Sequence, residues 1–323
     1  MSSHSAESVT QQEVRPEEVD LRVKIGPLEL ANPLMTASGT AGLGLEMEPF
    51  WGSLSVAGAV VVKTITKKAR RGNPMPRLAE TPSGLLNSIG LPNKGIDHFI
   101  AQVLPQLSGR AQCLIVNLAG GSADEFAELA AQLDRCEGID ALELNVSCPN
   151  VEGGNLPFAR DPDVVHKLVR DVRNVTDLPV ITKLSPNVTD VAVIAEAAKA
   201  GGTHAVSLIN TILGMSVNWR TGAPGLGTTV GGLSGPAIKP IALRMVHEVV
   251  RAHPDLPVIG IGGILDLDDA LEFLTVGASA VQIGTAHYRE PGVLPRLLAE
   301  LPQHLASAGR RSVQAQIGTL GAT

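Results

Sequence analysis

The stretch ALELNVSCPNVEGGN, residues 141–155, decides how the rest of the chain is read. It opens as an apolar, alternating run and ends in Pro149, Asn150 and the pair Gly153-Gly154, through which a strand does not continue. It reads as a strand that delivers Asn145, Ser147 and Cys148 to a loop. Side chains alternate across a strand, so Glu143, Asn145 and Ser147 share one face and Leu142, Leu144 and Val146 the other. One apolar face and one chemical face suit an α/β barrel, in which the apolar face meets helices and the polar face points to the catalytic mouth. Taken alone, Cys148 passes for a small buried hydrophobe, as most lone cysteines are. Its case rests on what the other strands carry.

Working outward, the same unit recurs. Eight short runs rich in Val, Ile, Leu and Ala occupy 34–39, 59–64, 113–119, 141–147, 179–185, 205–210, 257–263 and 280–285, each followed by a Gly/Asn/Ser/Pro loop. Between them lie helical patterns. Ser122 with Glu125 reads as a capping box, and Asp161 with Pro162 opens 161–175. Gly201 offers a stop for the segment from Thr189, and two more helices are expected over 237–252 and 266–277. Eight strand-helix units in one chain favour a (β/α)8 TIM barrel over a doubly wound sheet. A short N-terminal β-hairpin around Gly26-Pro27 is expected to close one end. Residues 1–20 are polar and read as a disordered tail, leaving 21–323 as a single barrel domain. Two long insertions, 66–93 and 211–236, leave the C-terminal face, where long loops are usually functional.

The strand ends carry Ser38, Lys63, Thr64, Asn117, Asn145, Lys183, Asn210 and Thr211, a set that a barrel built only for stability does not need. Parity sends Lys63, Asn117, Asn145, Lys183 and Asn210 inward, towards a polar pocket with positive charge. Parity also sends Glu143 inward, where an ion pair with Lys63 or Lys183 is expected. Gly262-Gly263 and Gly284-Thr285 follow the last two strands, where barrels commonly bind phosphate. With Ser234 and Gly235 they read as a cradle of backbone N–H groups; ordinary tight turns are the bland alternative.

Composition narrows the classes further. A formal net charge of −6 and 2% aromatic residues argue against nucleic acid. No apolar run reaches a membrane span's length, and the N-terminal residues lack a signal core. The three cysteines, Cys113, Cys136 and Cys148, form no CxxC pair, which points to a reducing cytoplasm and leaves too few thiolates for an iron–sulfur cluster.

Jointly, NxSCPN at 145–150, NPxMxASGTAG at 32–42, GNPMPR at 72–77, ETPSGLLNSIGLPN at 80–93, TKLSPN at 182–187, GGLSGPAIKPIALR at 231–244 and IGGI at 261–264 resemble dihydroorotate dehydrogenase. The match runs in order over residues 22 to 290. The resemblance implies an FMN-dependent oxidoreductase acting on CH–CH groups, oxidising dihydroorotate to orotate in pyrimidine biosynthesis. Cys148 in place of serine resembles the soluble class 1 with a cysteine base, and the 210–240 loop is most like the NAD-linked class 1B catalytic subunit. That branch pairs with a subunit carrying FAD and a [2Fe–2S] cluster, and implies a homodimer or a heterotetramer.

Carried over, the resemblance assigns FMN to Ala37, Ser38, Lys63, Thr64, Asn117, Asn145, Lys183, Ile209, Ser234, Gly235, Gly262, Gly263, Gly284 and Thr285. It assigns the substrate to Lys63, Asn87, Leu91, Asn145, Asn210 and Thr211, and proton abstraction from C5 to Cys148 as hydride leaves C6 for the flavin. A loop from Pro149 to Gly154 is expected to act as a lid. Two rivals are a dihydropyrimidine dehydrogenase-like FMN reductase of uracil or thymine, and a flavin-free barrel using Lys183 as a Schiff base.

Overall fold

The computed structural model describes residues 14–146 and 157–321. A strand forms in each of the eight apolar runs: β1 Leu34–Thr36, β2 Val60–Val61, β3 Leu114–Leu118, β4 Ala141–Asn145, β5 Val180–Lys183, β6 Ala205–Leu208, β7 Val258–Ile261 and β8 Ala280–Ile283. They pair in parallel in the order β1-β8-β7-β6-β5-β4-β3-β2. Every residue of these strands is buried, which is why apolar residues predominate in them.

The ring closes between β1 and β2 through a short bridge, Met35 opposite Ala59. A side chain supplements it there. Thr36 Oγ1 accepts from Val61 N at 2.7 Å and donates to Val61 O at 3.1 Å, taking the place of missing ladder bonds.

Helices Ala123–Leu133, Pro162–Arg173, Val191–Ala200, Lys239–Ala252, Leu267–Thr275 and Val293–Ser307 alternate with the strands. Their buried positions recur every three or four residues, as Leu129, Ala130 and Leu133 do in the first, so each lays one stripe on the barrel. Asp161 and Asp190 cap their helices through backbone N–H groups two and three residues on. Two local expectations change. Ser122 accepts from Glu125 N, but the Glu125 carboxylate reaches Gly121 N, so the reciprocal box is displaced by one residue. The full box forms at Asp266 and Asp269. Gly201 stays right-handed, and Gly202, at φ +95°, is the residue that turns left-handed after the helix.

The expected hairpin forms from Val23–Ile25 and Leu28–Leu30. Its buried faces are Val23, Ile25, Leu28 and Leu30, and Gly26 lies against His204 at the start of β6. It therefore covers the N-terminal end of the barrel. The structured chain begins before Leu21. Pro16–Glu18 form a 3-10 turn and Asp20 pairs with Ser312, so residues 14–20 are not a disordered tail; residues 1–13 lie outside the described set. Proline at the first helical position and a backbone bridge fix this segment despite its polarity.

The two long insertions are not separate loops. Leu78–Thr81, Gly84–Asn87, Val230–Ser234 and Ile212–Met215 pair antiparallel as one four-stranded sheet over the C-terminal face. Its central register sets Asn87 opposite Gly232 and Leu85 opposite Ser234, which joins chain segments about 145 residues apart.

The seam is testable. Thr36→Val keeps volume and apolar packing but leaves the buried Val61 N–H without its acceptor, so unfolding free energy should fall by about 1–3 kcal/mol in chemical denaturation. A change below about 0.5 kcal/mol, the range of neutral surface substitutions, would refute that role for the hydroxyl.

Candidate active site

The strand ends and the antiparallel sheet enclose one cavity of about 1130 Å³, counting the open space at its mouth. It lies where barrels place their sites. The β1 loop supplies Ala37 and Ser38, β2 supplies Lys63 and Thr64, and β4 and β5 supply Asn145 and Lys183. Ile209, Asn210 and Thr211 follow β6; Gly262 and Gly263 follow β7; Gly284 and Thr285 follow β8. The roof adds Asn87, Leu91, Ser234 and Gly235. Of the described residues assigned to cofactor or substrate from sequence, all but Asn117 meet here.

Polar side chains fix one another. Asn210 Nδ2 donates to Asn145 Oδ1 at 3.2 Å, and its own Oδ1 accepts from Thr211 N at 2.8 Å. Asn87 Nδ2 donates to Gly232 O at 3.1 Å, which ties the roof's cavity residue to its central strand. Lys63 Nζ reaches Gly39 O at 3.4 Å. Leu91 adopts φ +53°, a left-handed conformation that a leucine takes only under constraint. That constraint comes from Asn93, whose Nδ2 donates to Leu91 O and whose Oδ1 accepts from Gly95 N.

Asn117 lies one level deeper. It is fully buried, and its Nδ2 donates to Glu143 Oε1 at 2.6 Å. Glu143 also accepts from Ser207 Oγ at 2.9 Å and Gln282 Nε2 at 2.6 Å, with Lys183 Nζ at 3.8 Å. The expected inward carboxylate and its ion pair are present, with Lys183 as the partner. Asn117 Oδ1 and Gln282 Oε1 have no partner among the described residues, a cost of about 1–3 kcal/mol each unless something supplies a donor.

The phosphate-like end is built from backbone. Gly235 has φ +90° and Gly263 φ +79°; a Cβ on Gly263 would lie 2.7 Å from Lys239 Cβ, so only glycine lets these loops meet. Thr285 Oγ1 donates to Ser234 Oγ at 2.8 Å, joining the β8 loop to the roof. Behind the loop, Lys239 bonds Asp269 at 2.5 Å, while Asp269 Oδ2 accepts from Leu265 N and Asp266 N. Burial works against the Asp269 charge, yet Lys239 and those amides hold its carboxyl below the usual range.

The sequence reading missed Leu85, Ile89, Ile238, Ile261, Ile264 and Tyr288, which also line the cavity. An apolar residue carries no sequence signal that separates a ligand wall from ordinary packing. Cys148, Ser147 and the 149–154 lid segment lie outside the described residues. The other two cysteines are not in the cavity. Burial, with Asp140 nearby, pushes the Cys113 thiol up to about 12, and burial also raises Cys136, so neither offers a ready thiolate.

A barrel whose mouth combines amide side chains, two lysines and a glycine cradle defines the class of α/β-barrel enzymes that hold an anionic ligand at their strand ends. The sequence profile of the family described as dihydroorotate dehydrogenase matches residues 20–305. The chain is 50% identical over 303 residues to the dihydroorotate dehydrogenase B (NAD(+)) catalytic subunit of Solidesulfovibrio magneticus, covering 94% of this chain and 98% of that one. It is 45% identical over 294 residues to the protein of the same name from Listeria monocytogenes serovar 1/2a, covering 91% and 96%. A crystal structure of the Eimeria tenella dihydroorotate dehydrogenase in complex with ferulenol shares the fold, with TM-score 0.76 at 24% identity over 93% of this chain and 88% of that one. The chain belongs to the dihydroorotate dehydrogenase family, and its relatives are those of the NAD-linked class 1B.

The cradle has a titratable neighbour. His287 is buried beside Trp51, its Nδ1 bonded to Gly284 O, and burial lowers its pKa to about 4. The unfolded chain takes up that proton near 6.5 while the folded chain resists it down to about 4. The corresponding stability is complete above pH 6.5 and is lost as pH falls through that window, by at most about 3 kcal/mol. Denaturation midpoints should drop between pH 6.5 and 4, and His287→Leu should flatten that slope; an unchanged slope would rule His287 out as its source.

Proposed function

We propose that the cavity holds FMN with dihydroorotate beside it, and that Cys148 is the base of the oxidation to orotate. The observation that carries this reading is the convergence in one cavity of Lys63, Asn87, Asn145, Asn210 and Thr211 with the glycine cradle of Gly235, Gly262, Gly263 and Gly284. The residues present fit the cofactor. Asn117 offers a buried acceptor that no described residue uses, and the cradle leaves room where any Cβ would collide. Ala37, Ser38, Thr64, Lys183 and Ile209 would border the ring, with Ser234, Gly235, Gly262, Gly263, Gly284 and Thr285 around the phosphate.

When bound, FMN supplies the acceptor for the hydride leaving C6 of dihydroorotate. The chain's own residues do the rest. Lys63 pairs with the substrate carboxylate, and the Asn87, Asn145 and Asn210 amides, which both donate and accept, match ring N–H and C=O groups. Leu91 and Thr211 complete the substrate wall. Lys183, which lines the cavity, would present a cation to the bound ring. Cys148 removes the C5 proton. It follows Asn145, a cavity residue, by three positions, so chain length alone keeps its Cα within about 11 Å of that residue's.

The electron acceptor is read from the kin. The relatives are named catalytic subunits of an NAD(+) enzyme, and this chain has three cysteines, too few to hold a cluster. An FAD-containing [2Fe–2S] protein is therefore the proposed partner, in a heterotetramer; a homodimer is the form expected without it. The described residues include no helix long and apolar enough to cross a membrane, and the proposed setting is the cytoplasm.

Purified protein should carry a flavin that dihydroorotate bleaches and dihydrouracil does not. Cys148→Ala should keep FMN and lose about 10²–10⁴ in turnover, the usual worth of a general base. Turnover near wild type would remove Cys148 from that role. Purification from the native host should bring down an FAD-containing iron–sulfur protein; a flavoprotein that arrives alone and passes electrons to fumarate would overturn the partner.

A further inference from the structure

Glu143 is more than a tie between strands. Its carboxylate, with no exposed surface, collects donors from four other strands: Asn117 on β3, Lys183 on β5, Ser207 on β6 and Gln282 on β8. Lys183 lines the cavity and also reaches Ser38 Oγ at 3.4 Å, so the acid lies directly behind a cation that faces the ligand space. A staple between strands needs no charge, since packed apolar residues of similar volume hold a core as well or better.

A carboxylate accepts and never donates, so both amides must turn their NH2 groups towards it. The Asn117 and Gln282 oxygens are thereby aimed away, buried, and met by no donor among the described residues. One acid thus sorts the polarity of its neighbours.

We propose that Glu143 is a positioning residue that sets the electrostatic poise of the cavity floor, holding Lys183, presenting the Asn117 oxygen, and offsetting the two lysines with its own charge. This rests on the reading of the cavity as an FMN site. Lys63 and Lys183 both favour the reduced, anionic ring, and unopposed they would hold its electrons too firmly. The negative charge behind Lys183 lowers the reduction potential and lets the electrons leave.

The test uses the FMN-loaded chain and two readouts, the FMN dissociation constant and the two-electron midpoint potential. Glu143→Gln is isosteric and removes the charge. FMN affinity should weaken about tenfold, and the equilibrium constant for reduction should rise about tenfold, a positive shift of about 30 mV. Gln282→Leu and Ser207→Ala, neither of them in the cavity, remove donors and leave the acid less compensated, so the potential should move the other way. A merely structural role would lower melting temperature in all three with no opposed shifts.

An unchanged potential and affinity in Glu143→Gln would overturn the proposal. If that variant does not fold, a null or positive shift in both donor variants overturns it and a negative shift supports it. Failure of the wild-type chain to bind FMN would instead strike the reading of the site itself.

Discussion

An ionisable group inside a closed ring of strands is costly unless partners surround it, and this barrel meets that condition at Glu143. Satisfying it draws one side chain from each of β3, β5, β6 and β8, which pins those strands at the level where Asn117 stands opposite Glu143 in register. The polar layer divides the barrel in two. Below it, the interior is filled and sealed by the N-terminal hairpin; above it, the side chains are amides, hydroxyls and cations that border an open volume. The chemistry of the mouth therefore rests on a floor whose orientation one acid dictates.

The walls are held from outside by the insertions. The loop after β5 is fastened to the roof, since Asn187 Nδ2 donates to Thr211 O at 3.0 Å and its Oδ1 accepts from Leu213 N at 2.9 Å. Asn87, Thr211 and Ser234 each sit on or beside a strand of the antiparallel sheet, so the roof side of the cavity borrows rigidity from regular backbone. At the opposite end, Asp269 ties Lys239 to the start of the next helix and fixes the 262–266 loop. Sites supported this way hold their geometry better than sites on free loops.

What the sequence made legible follows from range. Strands and helices depend on local pattern, and the eight apolar runs each became a strand, with Asp161 at its expected cap. The inward lysines and asparagines were readable because parity is also local. The joint sheet was not, because pairing Asn87 with Gly232 depends on contacts across some 145 residues and on glycines that look like ordinary loop residues. Gln282 and Ser207 were invisible for another reason: each sits within an otherwise apolar strand, and only the position of Glu143 gives it a purpose. Asn117 was placed correctly on the inward face, yet its nitrogen is spent on Glu143 and only its oxygen remains for a ligand.

The charge of the whole chain argues against an anion site, and the charge of the cavity argues for one. The net charge is −6, but no Asp or Glu lines the cavity among the described residues, whereas Lys63 and Lys183 do. Exterior acids act through water and are screened beyond about 8–10 Å, while a lysine in a partly dry cleft acts at contact distance in a medium of lower dielectric. Local charge prevails. The same asymmetry favours the role proposed for Glu143: behind Lys183 and with no exposed surface, its charge is less screened than that of the surface carboxylates.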